Sequence, residues 1–179
     1  MPHEHHDNCC HDHAHEHHHD HACCAGVHAE PIELTESHKA FLHHLGHHHY
    51  LPVARFTLED SRQSEFVATA LAPVFLQAAD DDMETVKAIG AFLQEMEDMG
   101  LITLDYDIPL DGYGYEMQKN SALYAYFCET VAEGAERPGF VGNTPVLDLG
   151  SIAMTDAGAR IDAELCHHEH HHHGHEHAE

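Results

Sequence analysis

Two cysteine pairs, Cys9-Cys10 and Cys23-Cys24, bracket a run made almost entirely of histidine, aspartate and glutamate. With the residues just before it, this segment offers His3, His5, His6, Cys9, Cys10, His11, His13, His15, His17, His18, His19, His21, Cys23 and Cys24 as donors. Imidazole nitrogen and thiolate sulfur are the donors that borderline divalent ions such as Ni²⁺, Zn²⁺ and Cu²⁺ prefer. A second run closes the chain with His167, His168, His170, His171, His172, His173, His175 and His177. A third cluster, "HHLGHHH", supplies His43, His44, His47 and His48. Of the 25 histidines, 11 fall in residues 1–30, 8 follow Cys166 and 6 lie between His38 and His49, with none between Tyr50 and Leu165. Core packing scatters histidine thinly, so this clustering points to ligation.

At about four ligands per ion, the N-terminal run has donors for roughly three or four ions and the C-terminal run for about two. Zinc fingers pair cysteines as C-x₂₋₄-C, whereas these pairs are adjacent and 14 positions apart. That spacing predicts many interchangeable coordination modes, which suit buffering, storage or hand-over better than a permanent structural ion. The competing reading is a solvated low-complexity tail. For the C-terminal run a purification tag is a further alternative, against which stand its interruptions by Glu169, Gly174 and Glu176. "HHLGHHH" depends on its element. If a helix continues through Gly46, His43 with His47 and His44 with His48 stand one turn apart, a chelating geometry; if it stops there, they do not.

Apparent enzyme motifs weaken under the same chemistry. "HEHHH" at His15–His19 and at His168–His172 matches a zinc-protease pattern only because histidine dominates both runs. "DYDIPLDG" places Pro109 where a calcium ligand is needed, which leaves Asp105, Asp107 and Asp111 as turn carboxylates. "DGYGYE" lacks the third glycine of a dinucleotide site, and Cys128, among Leu123, Tyr124 and Phe127, reads as a buried core cysteine. No nucleophile-base constellation forms without tail histidines, so the expectation is a protein that is not an enzyme.

Charge narrows the partners. All seven Lys and Arg lie in residues 31–165 against 23 Asp and Glu, so that segment carries −16 of the chain's −25. A polyanion repels phosphate backbones and attracts cations. No apolar signal segment opens the chain, and "FVATALAPVFLQA" is too short to span a bilayer. The expected setting is cytoplasmic, where the six cysteines stay reduced; adjacent cysteines make poor disulfide staples.

The elements that must position these donors lie in residues 31–165. "ELTESHKAFLHHLG" has a helix start at Thr35 or Ser37 and Gly46 as a candidate stop. "VARFTLED" alternates as a strand, and "SRQSEFVATALAPVF" predicts a short helix ending near Leu71, before Pro73. "DDDMETVKAIGAFLQEMEDMG" is the clearest helix, with acids at its start, Met83, Val86, Ile89, Phe92, Leu93, Met96 and Met99 at helical spacing, and Gly100 as its cap. "LITLDYDI" follows as a strand and "NSALYAYFCETVAEG" as a helix. "PVLDLGSIAMTDAGARIDAEL" runs from a strand into a last helix capped at Thr155 or Asp156.

A helix ending in "EMEDMGLITLDYD", answered by "LGSIAMTDAGARI", resembles the winged-helix family over residues 35–165. The resemblance implies an α+β winged-helix-like domain, from which this chain departs by a helical insertion, Ser121 to Glu136, in the wing; composition predicts disordered His-rich tails at 1–30 and 166–179. It also implies that Asp82 to Met99 corresponds to the DNA-reading helix. The polar positions there are Asp82, Glu84, Lys87, Gln94, Glu95, Glu97 and Asp98, too acidic for phosphate or base contacts. The expectation is therefore a scaffold that takes a protein partner or dimerises, with DNA and membrane disfavoured. The tails resemble, in composition, the His-rich extensions of nickel chaperones and metal-transporter loops. The predicted function is buffering, storage or hand-over of several Ni²⁺ or Zn²⁺ ions, with Co²⁺ and copper ions inside the same donor preference. The alternative is a metal-responsive transcriptional regulator.

Overall fold

Thr35 opens the first element: its hydroxyl accepts the His38 amide at 3.3 Å while His38 Nδ1 accepts the Thr35 amide at 3.2 Å. This reciprocal cap satisfies two orphan donors of helix α1 (Glu36–His48). The computed structural model describes residues 33–171. Among them, α1 is followed by strands β1 (Tyr50–Asp60) and β2 (Gln63–Val74), helix α2 (Met83–Asp98), strand β3 (Ile102–Asp105), helices α3 (Glu116–Lys119) and α4 (Ala122–Ala135), strand β4 (Thr144–Met154) and helix α5 (Asp156–His171). The strands form one antiparallel sheet in the order β2-β1-β4-β3. The architecture is α+β.

Alternation along the central strands decides which face each helix covers. Leu51 and Val53 of β1, with Ile152 of β4 and Ile102 and Leu104 of β3, pack under Leu42 and Leu45 of α1 and Leu93 and Met96 of α2. Ala54 and Phe56 turn the other way and meet Leu123, Tyr124 and Phe127 of α4. The Phe56 and Phe127 rings stack with centroids 5.5 Å apart. Farther along the first face the sheet carries charge: Arg55 Nε donates to Asp148 at 2.9 Å, Thr57 donates to the same oxygen at 3.2 Å, and the guanidinium lies 4.9 Å from the Tyr106 ring centroid. Burial beside this group, with Glu97 nearby, pushes the Tyr106 hydroxyl up to about 12.

The short helix predicted from Ser61 to near Leu71 is absent; Gln63–Val74 is the edge strand β2 instead. Pairing with β1 over Ala54–Asp60 supplies the backbone partners, and the register shifts where the hairpin curls. Its tip is closed by the buried Asp60 carboxylate, which accepts from the Arg62 amide at 2.9 Å, Nε at 2.8 Å and Nη2 at 2.7 Å, and from the Gly142 amide at 3.1 Å. Cys128 is half-buried rather than in the core, on the flank of α4.

α2 follows the expected pattern. Asp82 caps it by accepting the Thr85 amide at 2.7 Å, and Val86, Leu93 and Met96 face inward. Gly100, at φ 71°, ends it as the Gly100 and Leu101 amides return to Glu97 and Met96. Asp82, Glu84, Glu95 and Asp98 remain exposed. No helix of the described residues is long and apolar enough to cross a membrane.

Candidate metal centre

α1 does not stop at Gly46; it runs on to His48, and the His49 amide closes it on the Leu45 carbonyl at 2.7 Å. Glycine inside a helix costs about 1 kcal/mol relative to alanine. At Gly46 the missing side chain makes room for α5: a Cβ there would lie 2.5 Å from Asp162 Oδ2. The glycine thus lets α5 lay an aspartate directly on α1.

Continuation through Gly46 realises the one-turn histidine pairs. His43 Nε2 and His47 Nε2 are 3.1 Å apart, and the His44 and His48 ring centroids 4.5 Å apart. All four side chains are exposed. His38, by contrast, is buried, commits Nδ1 to the helix cap and stacks on Phe92 at 5.2 Å.

α5 starts at a Thr155 cap, whose hydroxyl accepts the Gly158 amide at 3.1 Å and donates to the Gly100 carbonyl at 2.7 Å. From there the helix carries Asp162 and Cys166, one turn apart, toward the second half of α1. His43 Nδ1 lies 3.6 Å from Asp162 Oδ1 and 3.8 Å from Cys166 Sγ. One donor atom from each of these three residues falls within 4.8 Å of the others. Asp162 Oδ1 is buried and has no hydrogen-bond partner among the described residues. Beside the cluster, Asp162, Gly46, His49 and Met154 border a cleft of about 380 Å³.

Of the expected ligands, His43, His44, His47, His48 and His167 lie on described, exposed helix surface. Those from His3 to Cys24, and the side chains from His168 onward, lie outside the described residues. The boundary expected at 165 falls inside α5, whose backbone continues to His171. Asp162 and Cys166 were absent from the expected ligand set. Their i, i+4 spacing is visible in "DAELC" but acquires meaning only opposite His43. A larger groove of about 760 Å³, bordered by Phe41, Phe75, Ile89 and Phe92, is apolar and offers no comparable donor set.

Comparison with family models, with curated proteins and with solved structures returned no match.

Proposed function

We propose that this chain binds and hands over borderline transition-metal ions, Ni²⁺ or Zn²⁺ foremost, with the α+β domain as the scaffold for its donor runs. The observation that carries the reading is the packing of α1 against α5. The helix with the 43–49 histidine cluster and the helix that leads into the C-terminal run meet at one corner, with His43 and Cys166 in contact. The histidine cluster of α1 and the start of the C-terminal run, at Cys166, thereby meet, as hand-over of an ion between weak sites requires. The N-terminal run adds capacity by composition, and a cytoplasmic setting would keep its thiols reduced.

The winged-helix likeness enters this reading as scaffold. It rests on α2 leading into β3 and on β4 leading into α5. Where a helix-turn-helix would place a helix before α2, this chain has β2, and the exposed charged positions of α2 are the acids Glu84, Glu95 and Asp98 with Lys87 as their one cation. Both features favour a protein partner or a second copy over DNA. A metal-responsive regulator would instead bind duplex DNA in a metal-dependent way at physiological salt, which anisotropy with and without Ni²⁺ measures directly.

Native mass spectrometry with calorimetry tests the main reading. Under reducing conditions near pH 7, above the imidazole reference pKa of about 6.5, the full chain should take up several ions of Ni²⁺ or Zn²⁺. Uptake of one ion or none in excess metal would defeat it.

A further inference from the structure

We infer that His43, Asp162 and Cys166 form a defined single-ion site between α1 and α5, for a thiophilic divalent ion of the Zn²⁺, Co²⁺ or Ni²⁺ class. The inference rests on the metal-handling reading above and adds to it one site that differs from the runs in being preorganised. Three independent features of the packing support it.

Donor spacing is the first. Two ligands held about 2.0–2.3 Å from a tetrahedral ion lie roughly 3.3–3.8 Å from each other. The separations from His43 Nδ1 to Asp162 Oδ1 and to Cys166 Sγ are 3.6 and 3.8 Å. Both separations from the imidazole are therefore close to the edges of a coordination tetrahedron before any ion arrives, and the third lies within 4.8 Å.

Orientation of the imidazole is the second. Metal-bound histidine commonly holds its other ring N–H in a hydrogen bond, which fixes tautomer and ring plane. His43 Nε2 has such a partner in His47 Nε2 at 3.1 Å, with the rings nearly perpendicular at 83°. With the proton on Nε2, the Nδ1 lone pair faces Asp162 and Cys166. In the metal-free state the Cys166 thiol is placed to donate to that lone pair. When a divalent ion binds, the thiol proton is released to solvent and the ion takes its place between sulfur and nitrogen. His47 is thus a positioning residue.

The third is the Asp162 carboxylate. Its Oδ1 is buried without a hydrogen bond among the described residues, and it comes so close to α1 because position 46 is glycine. A buried carboxylate oxygen without a partner is costly, and a cation beside His43 would satisfy it.

Three protein donors leave a fourth tetrahedral position, the pattern of exchangeable rather than closed sites. His43 is half exposed, at 49% of its side-chain surface, so that position is reachable from solvent. The thiolate selects against Mg²⁺ and Ca²⁺, which prefer all-oxygen shells. An ion held here joins α5 to α1 at the point where the C-terminal histidine run begins.

The test uses the full chain with Cys9, Cys10, Cys23 and Cys24 replaced by serine, and Co²⁺ as the probe. The first equivalent should produce thiolate-to-cobalt charge-transfer absorption. Adding C166S should abolish that band, C128S should leave it, and H43A should weaken affinity by more than the roughly 100-fold upper limit expected for loss of an outer partner. H47A should keep the band but lower affinity by about 10- to 100-fold. Amide exchange along α5 should slow on addition of one equivalent of Zn²⁺ in the parent and not in C166S. Urea unfolding without metal identifies variants that fail to fold; should C166S be one, loss of the band in folded D162N together with H43A decides the matter. A first equivalent without a thiolate band, or a band that survives C166S, overturns the site. If several ions still bind in that case, the general metal-handling reading stands alone; if none bind, both fall.

Discussion

The Asp162 carboxylate occupies the space that a side chain at residue 46 would need, so Gly46 and Asp162 together set how closely α5 lies on α1. A helix-interior glycine is thereby a contact residue and not a stop. The same contact holds Asp162 beside His43, at 3.6 Å.

Replacing Gly46 with alanine separates the two roles. Helix propensity favours the variant by up to about 1 kcal/mol, and the displaced group is the end of a short side chain that can swing outward. We expect G46A to unfold in urea at or slightly above the wild-type midpoint, while the first Co²⁺ equivalent binds at least about tenfold more weakly. Wild-type affinity in a folded G46A chain would show that the close approach of Asp162 is irrelevant to the ion.

Acid should loosen the tip of the β1–β2 hairpin. Hydrogen bonds from Arg62, with smaller help from the Gly142 amide, hold the Asp60 carboxyl well below the usual carboxylate range. In the unfolded chain Asp60 takes up its proton near the reference value of about 3.9. Its contribution is therefore fully present above that pH and is lost as pH falls toward the lower folded value, where the unfolded state binds more protons. The urea midpoint of D60N should fall less steeply than that of the wild type between about pH 4 and pH 2. Parallel slopes would exclude Asp60 as a source of acid sensitivity.

Gly150 has no such freedom. A Cβ there would strike the backbone of Asp105 and Tyr106 across the β3–β4 pair. The Gly150 carbonyl also accepts the buried Tyr115 hydroxyl at 2.7 Å. Because the obstacle is main chain, G150A should cost about 3 kcal/mol or more, at or beyond the upper end of overpacking penalties. Y115F, which removes one hydroxyl and leaves the Leu110 amide without its acceptor, should cost less, about 1–3 kcal/mol. Denaturant titrations of both variants supply the comparison.

The buried apolar side chains of the described residues all fall between Leu42 and Ile152. A chain lacking residues 1–29 and 172–179 should therefore still unfold cooperatively in urea, with a midpoint near that of the full chain. A broad, non-cooperative transition would mean that the terminal runs take part in the fold.

Local signals were sufficient wherever an element closes on its own neighbours. α2 was readable because its Asp82 cap, its apolar spacing and Gly100 all act within a turn or two of the residues they govern. The start of α1 at Thr35 and of α5 at Thr155 follow from the same short-range hydrogen bonding. The ligand chemistry was equally visible, since histidine clustering is a property of composition. β2 was not readable. Its side chains are mostly exposed or half-buried on both faces, so little apolar alternation marks it, and its backbone partners come from β1. The metal-binding corner divides along the same line. His43 and His47 lie four residues apart, and their pairing needed only a helix that passes Gly46. That the close approach of Asp162 needs a glycine at that point is visible only in the packing of α5 on α1. Cys166 is 123 residues from His43 in sequence, and nothing local relates them. The choice of donors belongs to the sequence alone, because coordination preference resides in each side chain. Which donors converge was decided by tertiary packing, because only the burial of α1 and α5 on the same side of the sheet brings the two turns together.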